Sequence, residues 1–127
     1  MLMVLAPEHI AHGVRAAEDP SVLKRLAQGR VVCDVCPSAE VGLGIFPDLS
    51  QVPVHELVRT GVAVTLNADD PLLFGSSVAS EYALAREALG LADHELALIA
   101  RYSIEASHLE ASARQQYIAG IDTWLAA

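Results

Sequence analysis

Basic residues are scarce in this chain. Eight Lys and Arg stand against 16 Asp and Glu among 127 residues, which gives a formal net charge of −8. Binding to nucleic acid requires clustered Lys and Arg that neutralise phosphates, so this balance argues against nucleic acid as a partner. The sequence also lacks an apolar run of the roughly 18–20 residues that a membrane span requires, so we expect no membrane partner.

Only two cysteines are present, Cys33 and Cys36, at a spacing that redox and zinc sites also use. The valines around them predict a strand, in which side chains three positions apart point to opposite faces. The two sulfurs should then neither meet nor share a metal ion, and we interpret both as buried structural thiols. Because residues 1–6 lack the basic segment of an export signal, reduced thiols favour a cytoplasmic location.

Apolar residues, in contrast, are plentiful. Hydrophobic residues make up 53% of the chain and charged residues 19%, a balance typical of a globular protein. The length suffices for one domain with a core and is too short for two substantial ones. We therefore predict a single domain over residues 1–127.

Three runs rich in Val and Leu predict strands, at residues 2–12, 31–35 and 62–66. An early proline and apolar residues at helical spacing predict a helix over residues 20–29. Glycine and proline interrupt residues 37–53, so we predict a loop there with no more than one turn.

Helical spacing dominates the rest of the chain. A short helix is predicted over residues 54–61, and three longer ones near residues 78–90, 93–104 and 117–125. Strands that alternate with helices favour parallel βαβ units. The predicted fold class is therefore α/β with a parallel sheet.

The third predicted strand leads directly into two adjacent carboxylates, Asp69 and Asp70. Like charges this close repel each other, and a cation or a hydrogen-bond donor of a substrate usually compensates them. In parallel β/α folds such chemistry lies at the carboxyl ends of the strands. Alternatively, either Asp could simply cap the next segment, because Asp before Pro is a common helix start. The residue types alone leave both interpretations open.

Four segments carry a wider pattern: HIAHGVR and then EDP within residues 9–20, CDVCP at 33–37, TLNADDP with FG at 65–75, and EY with an alanine at 81–85. In this order and at this spacing they resemble the adenosine/AMP deaminase family of metal-dependent purine deaminases. The resemblance runs from about Pro7 to the C-terminus.

The resemblance implies a fold and a possible partner. The chain would form the last three βα units of a TIM-type (β/α)8 barrel plus C-terminal helices. A complete barrel takes about 250 residues, so this one would be incomplete. Its exposed sheet edges would favour self-association or pairing with an N-terminal deaminase segment.

The resemblance also implies residue roles. Asp69 would ligate Zn²⁺, and His12 would help to orient and deprotonate the attacking water. Asp70 would form a hydrogen bond with N7 of a purine nucleoside or base, and Gly13 would let the backbone approach closely. The reaction implied is zinc-dependent hydrolytic deamination of adenosine or a related adenine compound, giving an inosine- or hypoxanthine-type product and ammonia.

Other features of the pattern are missing. The His-x-His motif, a further His ligand and the catalytic Glu have no counterpart, whereas Zn²⁺ takes about four ligands. We therefore expect the isolated chain to bind zinc weakly and to be inactive. Ala39 and Glu40 replace a Ser-Asn pair, which puts a negative charge on a loop near the site. The alternatives are an inactive deaminase-derived remnant with a structural or binding role, and an unrelated acidic α/β module that binds a divalent cation.

Overall fold

A computed structural model describes residues 2–127, with side chains from residue 4 onward. It contains a three-stranded parallel sheet with helices packed on one face. The α-helices are α1 (Leu2–Leu5), α2 (Pro20–Gly29), α3 (Pro37–Gly42), α4 (Val54–Arg59), α5 (Pro71–Phe74), α6 (Val78–Glu87), α7 (Asp93–Glu105) and α8 (Ala111–Ala126). The strands are β1 (His9–Ala11), β2 (Val32–Val35) and β3 (Ala63–Leu66), and 3-10 helices cover Val14–Glu18 and Leu49–Gln51.

The strands lie in the order β1-β2-β3, and both neighbouring pairs are parallel. Asp34 of β2 is in register with Ala11 of β1 and with Thr65 of β3. The carboxyl ends of all three strands therefore meet at one rim of the sheet. This confirms the α/β class with a parallel sheet.

The sheet has two faces of different chemistry. Alternate residues point to the apolar face, where they join the buried core with side chains of the surrounding helices; the strand residues in this cluster are Ile10, Cys33, Val35, Val64 and Leu66. On the opposite face, Asp34 accepts hydrogen bonds from Nδ1 of His9 (3.0 Å) and Oγ1 of Thr65 (2.7 Å). Asn67 donates from Nδ2 to Oγ1 of Thr65 at 2.8 Å. We call these four residues the polar ladder.

The strand predicted over residues 2–12 is wrong in its first half. Leu2–Leu5 form a helical turn, and the strand is only His9–Ala11. A short apolar run fits a helix or a strand equally well. Between α1 and β1, Ala6 adopts a left-handed φ of 42° directly before Pro7. These two residues separate the run into two elements.

The predicted loop over residues 37–53 also requires correction, because Pro37–Gly42 form helix α3. Pro37 occupies the first helical turn, where its fixed φ and missing N–H cost nothing. Glu81, from α6, accepts a hydrogen bond from the backbone N–H of Ser38 at 3.2 Å. A residue 43 positions away thus satisfies a helix start that no nearby side chain caps.

The helices predicted after Pro71 are confirmed as α6, α7 and α8. Helix α7 packs on β3, and α8 packs on α7. Among the described residues there is no helix with the length and apolar character needed to cross a membrane.

Candidate active site

His12 lies where β1 ends. Its backbone N–H still bonds to the carbonyl of Asp34 at 2.9 Å, but its φ of 62° turns the chain out of the strand. Gly13 follows with a φ of 73°, and a Cβ there would lie 2.7 Å from Sγ of Cys33. Only glycine fits this turn. The close approach that the structure shows at Gly13 is to Cys33, and the predicted contact of Gly13 with the substrate stays a prediction.

Asp69 lies at the end of β3 and also has a left-handed backbone, with a φ of 57°. Its Oδ2 is 3.6 Å from Nε2 of His12, and each side chain is about one-third exposed, at 34% and 36%. The structure thus brings these two residues, 57 positions apart in the chain, together at one rim. Their roles in catalysis stay predictions.

Asp70 is a helix cap. Its Oδ1 accepts hydrogen bonds from the backbone N–H groups of Leu72 and Leu73, both at 3.0 Å, and so begins helix α5. The capping interpretation therefore holds for Asp70, whereas Asp69 faces His12. If Asp70 contacts a purine as predicted, its second oxygen, Oδ2, would make that contact.

Cys36 belongs to this site, which the sequence did not reveal. One ligand atom each from His12, Cys36 and Asp69 lie within 4.8 Å of one another. Strand alternation no longer applies at Cys36, because β2 ends at Val35. Both cysteines are free and buried, as predicted.

The environment of the Cys36 thiol is strongly negative. Its pKa is raised to about 12, with burial as the largest cause, followed by the nearby carboxylates of Asp69, Glu40, Glu81 and Asp34. The thiol is therefore protonated at neutral pH and is no nucleophile. A rim with this many carboxylates around one imidazole suits a cation.

The position of Glu40 also differs from the prediction. We expected it on a loop near the site, but it lies in the first turn of α3 with only 1% of its surface exposed. Its Oε1 is 2.9 Å from Nδ1 of His12. The signal available in the sequence was Pro37, a common first residue of a helix, three positions before Glu40.

Comparisons with known proteins agree with this geometry. The adenosine deaminase family model matches residues 1–124. Over 123 residues the chain is 48% identical to a Streptomyces coelicolor protein named "Putative adenosine/adenine deaminase", covering 97% of this chain and 36% of that one. It is 42% identical over 123 residues to the aminodeoxyfutalosine deaminase of Streptomyces avermitilis, covering 97% of this chain and 34% of that protein.

A solved structure gives the same result. The adenine deaminase of Arthrobacter aurescens superposes with a TM-score of 0.93 at 32% identity, covering 99% of this chain and 38% of that one. The chain thus spans about a third of the length of the relatives it matches. The interpretation as an unrelated acidic module is wrong. The chain belongs to the adenosine deaminase family and corresponds to its C-terminal portion.

Proposed function

We propose that this chain forms the C-terminal third of a zinc-dependent deaminase that hydrolyses adenosine or a related adenine compound. The observation that carries the proposal is the approach of His12 to Asp69, with 3.6 Å between Nε2 and Oδ2, at the carboxyl ends of β1 and β3. In this proposal β1, β2 and β3 are the last three strands of a (β/α)8 barrel, and residues 1–127 form one partial domain. The membership of the family supports it.

The side chains at the rim suit a zinc ion. Imidazole nitrogen and carboxylate oxygen are ligands that Zn²⁺ takes in proteins, and His12 and Asp69 present one of each within 4.8 Å, together with the thiol of Cys36. We assign Asp69 as the ligand, as the family resemblance implies, because the thiol of Cys36 is protonated and Nε2 of His12 is assigned to the attacking water. When bound, zinc would supply Lewis acidity and lower the pKa of a water molecule towards about 7.

The remaining roles follow from positions at the rim. Nε2 of His12 faces Asp69 and would accept the proton of the attacking water. Asp70, through Oδ2, would form the hydrogen bond with purine N7 that the resemblance implies. Gly13 keeps the backbone beside His12 free of a side chain. Ammonia would leave from the carbon that the water attacks.

The site requires a partner segment. In the described sheet β1 and β3 are both edge strands, and the polar ladder of His9, Asp34, Thr65 and Asn67 faces away from the helices. A cavity of about 950 Å³ opens beside β1 and includes His12, Gly13 and Glu40 in its wall. We propose that an N-terminal deaminase segment covers these surfaces and supplies the missing zinc ligands. The alternative is a second copy of this chain. The isolated chain is then inactive. Two reduced, buried thiols fit a cytoplasmic location.

A chimeric enzyme tests the proposal. The Arthrobacter adenine deaminase superposes on this chain throughout, so the chain can replace the matched third of that protein. We expect the purified chimera to bind zinc and release ammonia from adenine, adenosine or another adenine compound, whereas the isolated chain does not. A folded, zinc-loaded chimera that releases no ammonia from any of them, while the parent enzyme is active, would contradict the proposal.

The second candidate is an inactive remnant of a deaminase. The observation that favours it is the buried carboxylate of Glu40 beside His12, at a position where the sequence pattern of the family has Asn. If this carboxylate holds His12 in an unproductive state, the chimera folds and binds zinc without turnover. The same assay therefore separates the two candidates.

A further inference from the structure

Glu40 makes a contact that neither the family resemblance nor the proposed roles account for. Its carboxylate is 1% exposed, and its Oε1 lies 2.9 Å from Nδ1 of His12. A buried carboxylate is costly unless it forms hydrogen bonds. His12 is therefore the partner that makes the burial of Glu40 tolerable.

We propose that Glu40 is a positioning residue that fixes the tautomer of His12, an inference that rests on the proposed function. An ionised carboxylate can only accept hydrogen bonds, and a neutral imidazole has a single N–H. The contact at Nδ1 therefore holds that proton on Nδ1 and leaves the lone pair on Nε2. Nε2 is the nitrogen that faces Asp69 at 3.6 Å. His12 is thus prepared to accept a proton at the rim.

The position of Glu40 is fixed from several sides. Its backbone N–H donates to the carbonyl of Cys36 at 2.9 Å, and its own carbonyl accepts from the N–H groups of Ile45 and Phe46 at 2.9 and 3.2 Å. The bond from the N–H of Ser38 to Glu81 holds the start of the same helix. The backbone of His12, turned by its φ of 62°, presents the ring to this fixed carboxylate. Carboxylate–imidazole pairs of this kind set the tautomer of a histidine in catalytic triads and around metal sites.

Nitrogen-15 NMR of the 127-residue chain tests the inference without any activity. In the neutral ring of His12, assigned by comparison with His12→Gln, we expect Nδ1 to resonate in the range of a protonated nitrogen and Nε2 in that of an unprotonated one. In Glu40→Gln the side-chain amide can donate to Nδ1 or accept from it, so both tautomers should be populated. The chemical shifts of Nδ1 and Nε2 should then become more alike. Glu56→Gln, on the exposed face of α4, should leave them unchanged. A proton on Nε2 in the wild-type chain, or identical nitrogen shifts in Glu40→Gln, would overturn the inference.

Kinetics of the chimera give the second readout. We expect Glu40→Gln to lower kcat by about 10- to 100-fold, the usual effect of losing such a supporting partner, with KM and zinc content nearly unchanged. An unchanged kcat would contradict the positioning role of Glu40 and would leave the proposed function intact. A wild-type chimera without turnover would contradict the proposed function, and the tautomer measurement would still decide the inference. If Glu40→Gln does not fold, Glu40→Asn removes the carboxylate with a shorter side chain, and the same two outcomes apply.

Discussion

His12 and Asp69 depart from the strands at whose ends they lie. Both have a left-handed backbone, with φ of 62° and 57°, which costs a residue other than glycine about 1–2 kcal/mol. Such conformations persist where the surroundings hold them, and they cluster at functional sites. The sequence could place both residues at one rim, because parallel strands end together. It could not show that these two turns aim the side chains at each other.

Removal of the Asp69 carboxylate tests its assignment as a ligand. In the chimera, Asp69→Asn keeps the shape of the side chain and loses the charge that binds zinc. We expect ammonia release to fall by at least about 100-fold and the zinc content to drop with it. Asp122→Asn is the matched control, because Asp122 forms only a surface ion pair with Arg101. Turnover close to that of the control would show that Asp69 is not the ligand.

The turn after His12 makes a prediction about stability. Gly13→Ala adds a Cβ 2.7 Å from Sγ of Cys33 at a φ of 73°, so it combines a clash with backbone strain. We expect a loss of about 2–4 kcal/mol in the free energy of unfolding. Gly75 has a similar φ of 63°, but a Cβ added there would have no other atom within 4 Å, so Gly75→Ala should cost only about 1–2 kcal/mol. Urea denaturation of both variants measures the difference, and equal losses would contradict the close approach to Cys33.

The buried thiol under this turn should make stability depend on pH. Burial, followed by the charge of Asp34, raises the pKa of Cys33 to about 11 from an ordinary value of 9.0. The unfolded chain therefore loses this proton first, and the stabilisation present below pH 9 is lost as the pH rises through about 11. We expect the free energy of unfolding to fall over this range, and to fall less steeply in Cys33→Ala. Parallel curves for the two proteins would contradict this explanation.

At the scale of helices and strands, the sequence predicted the elements that show a regular spacing of apolar residues. Apolar spacing correctly located six elements, β2, β3, α2, α4, α6 and α7. It also predicted α8, but this helix begins at Ala111, six residues before the predicted start at 117. Helix α3 was missed although Pro37 marks its start, because that start is completed only by a long-range contact with Glu81, 43 positions away. The contact between His12 and Glu40 spans 28 positions and was hidden for the same reason. Long-range contacts between polar groups leave no periodic trace in a sequence.

The dependence of α3 on Glu81 can be measured. In Glu81→Ala the half-buried backbone N–H of Ser38 loses its carboxyl acceptor, which should cost about 1–3 kcal/mol. We expect faster amide hydrogen exchange in α3, with little change in α8. Glu87→Ala, on the exposed side of the same helix α6, is the control. Unchanged exchange in α3 would mean that Glu81 does not hold this helix.

In the molecule as a whole, one side is complete and the other is open. The apolar face of the sheet is covered by helices, and its residues form the buried core. The polar ladder lies on the other side. Strands β1 and β3 are the edges of the described sheet, and the cavity opens at the β1 edge, between that strand and α2. The alternation of strands and helices along the chain could predict the parallel α/β class, but the polar ladder depends on register between strands, which no local pattern shows. All of these open features adjoin the rim that holds His12 and Asp69.

A crystal structure of the zinc-loaded chimera, with the metal located by anomalous diffraction, tests the central claim most directly. We expect one zinc peak about 2.0–2.2 Å from a carboxylate oxygen of Asp69, with Nε2 of His12 facing the same space and Nδ1 still bonded to Glu40. A zinc ion bound away from Asp69, or His12 and Asp69 separated once the partner segment is in place, would contradict it.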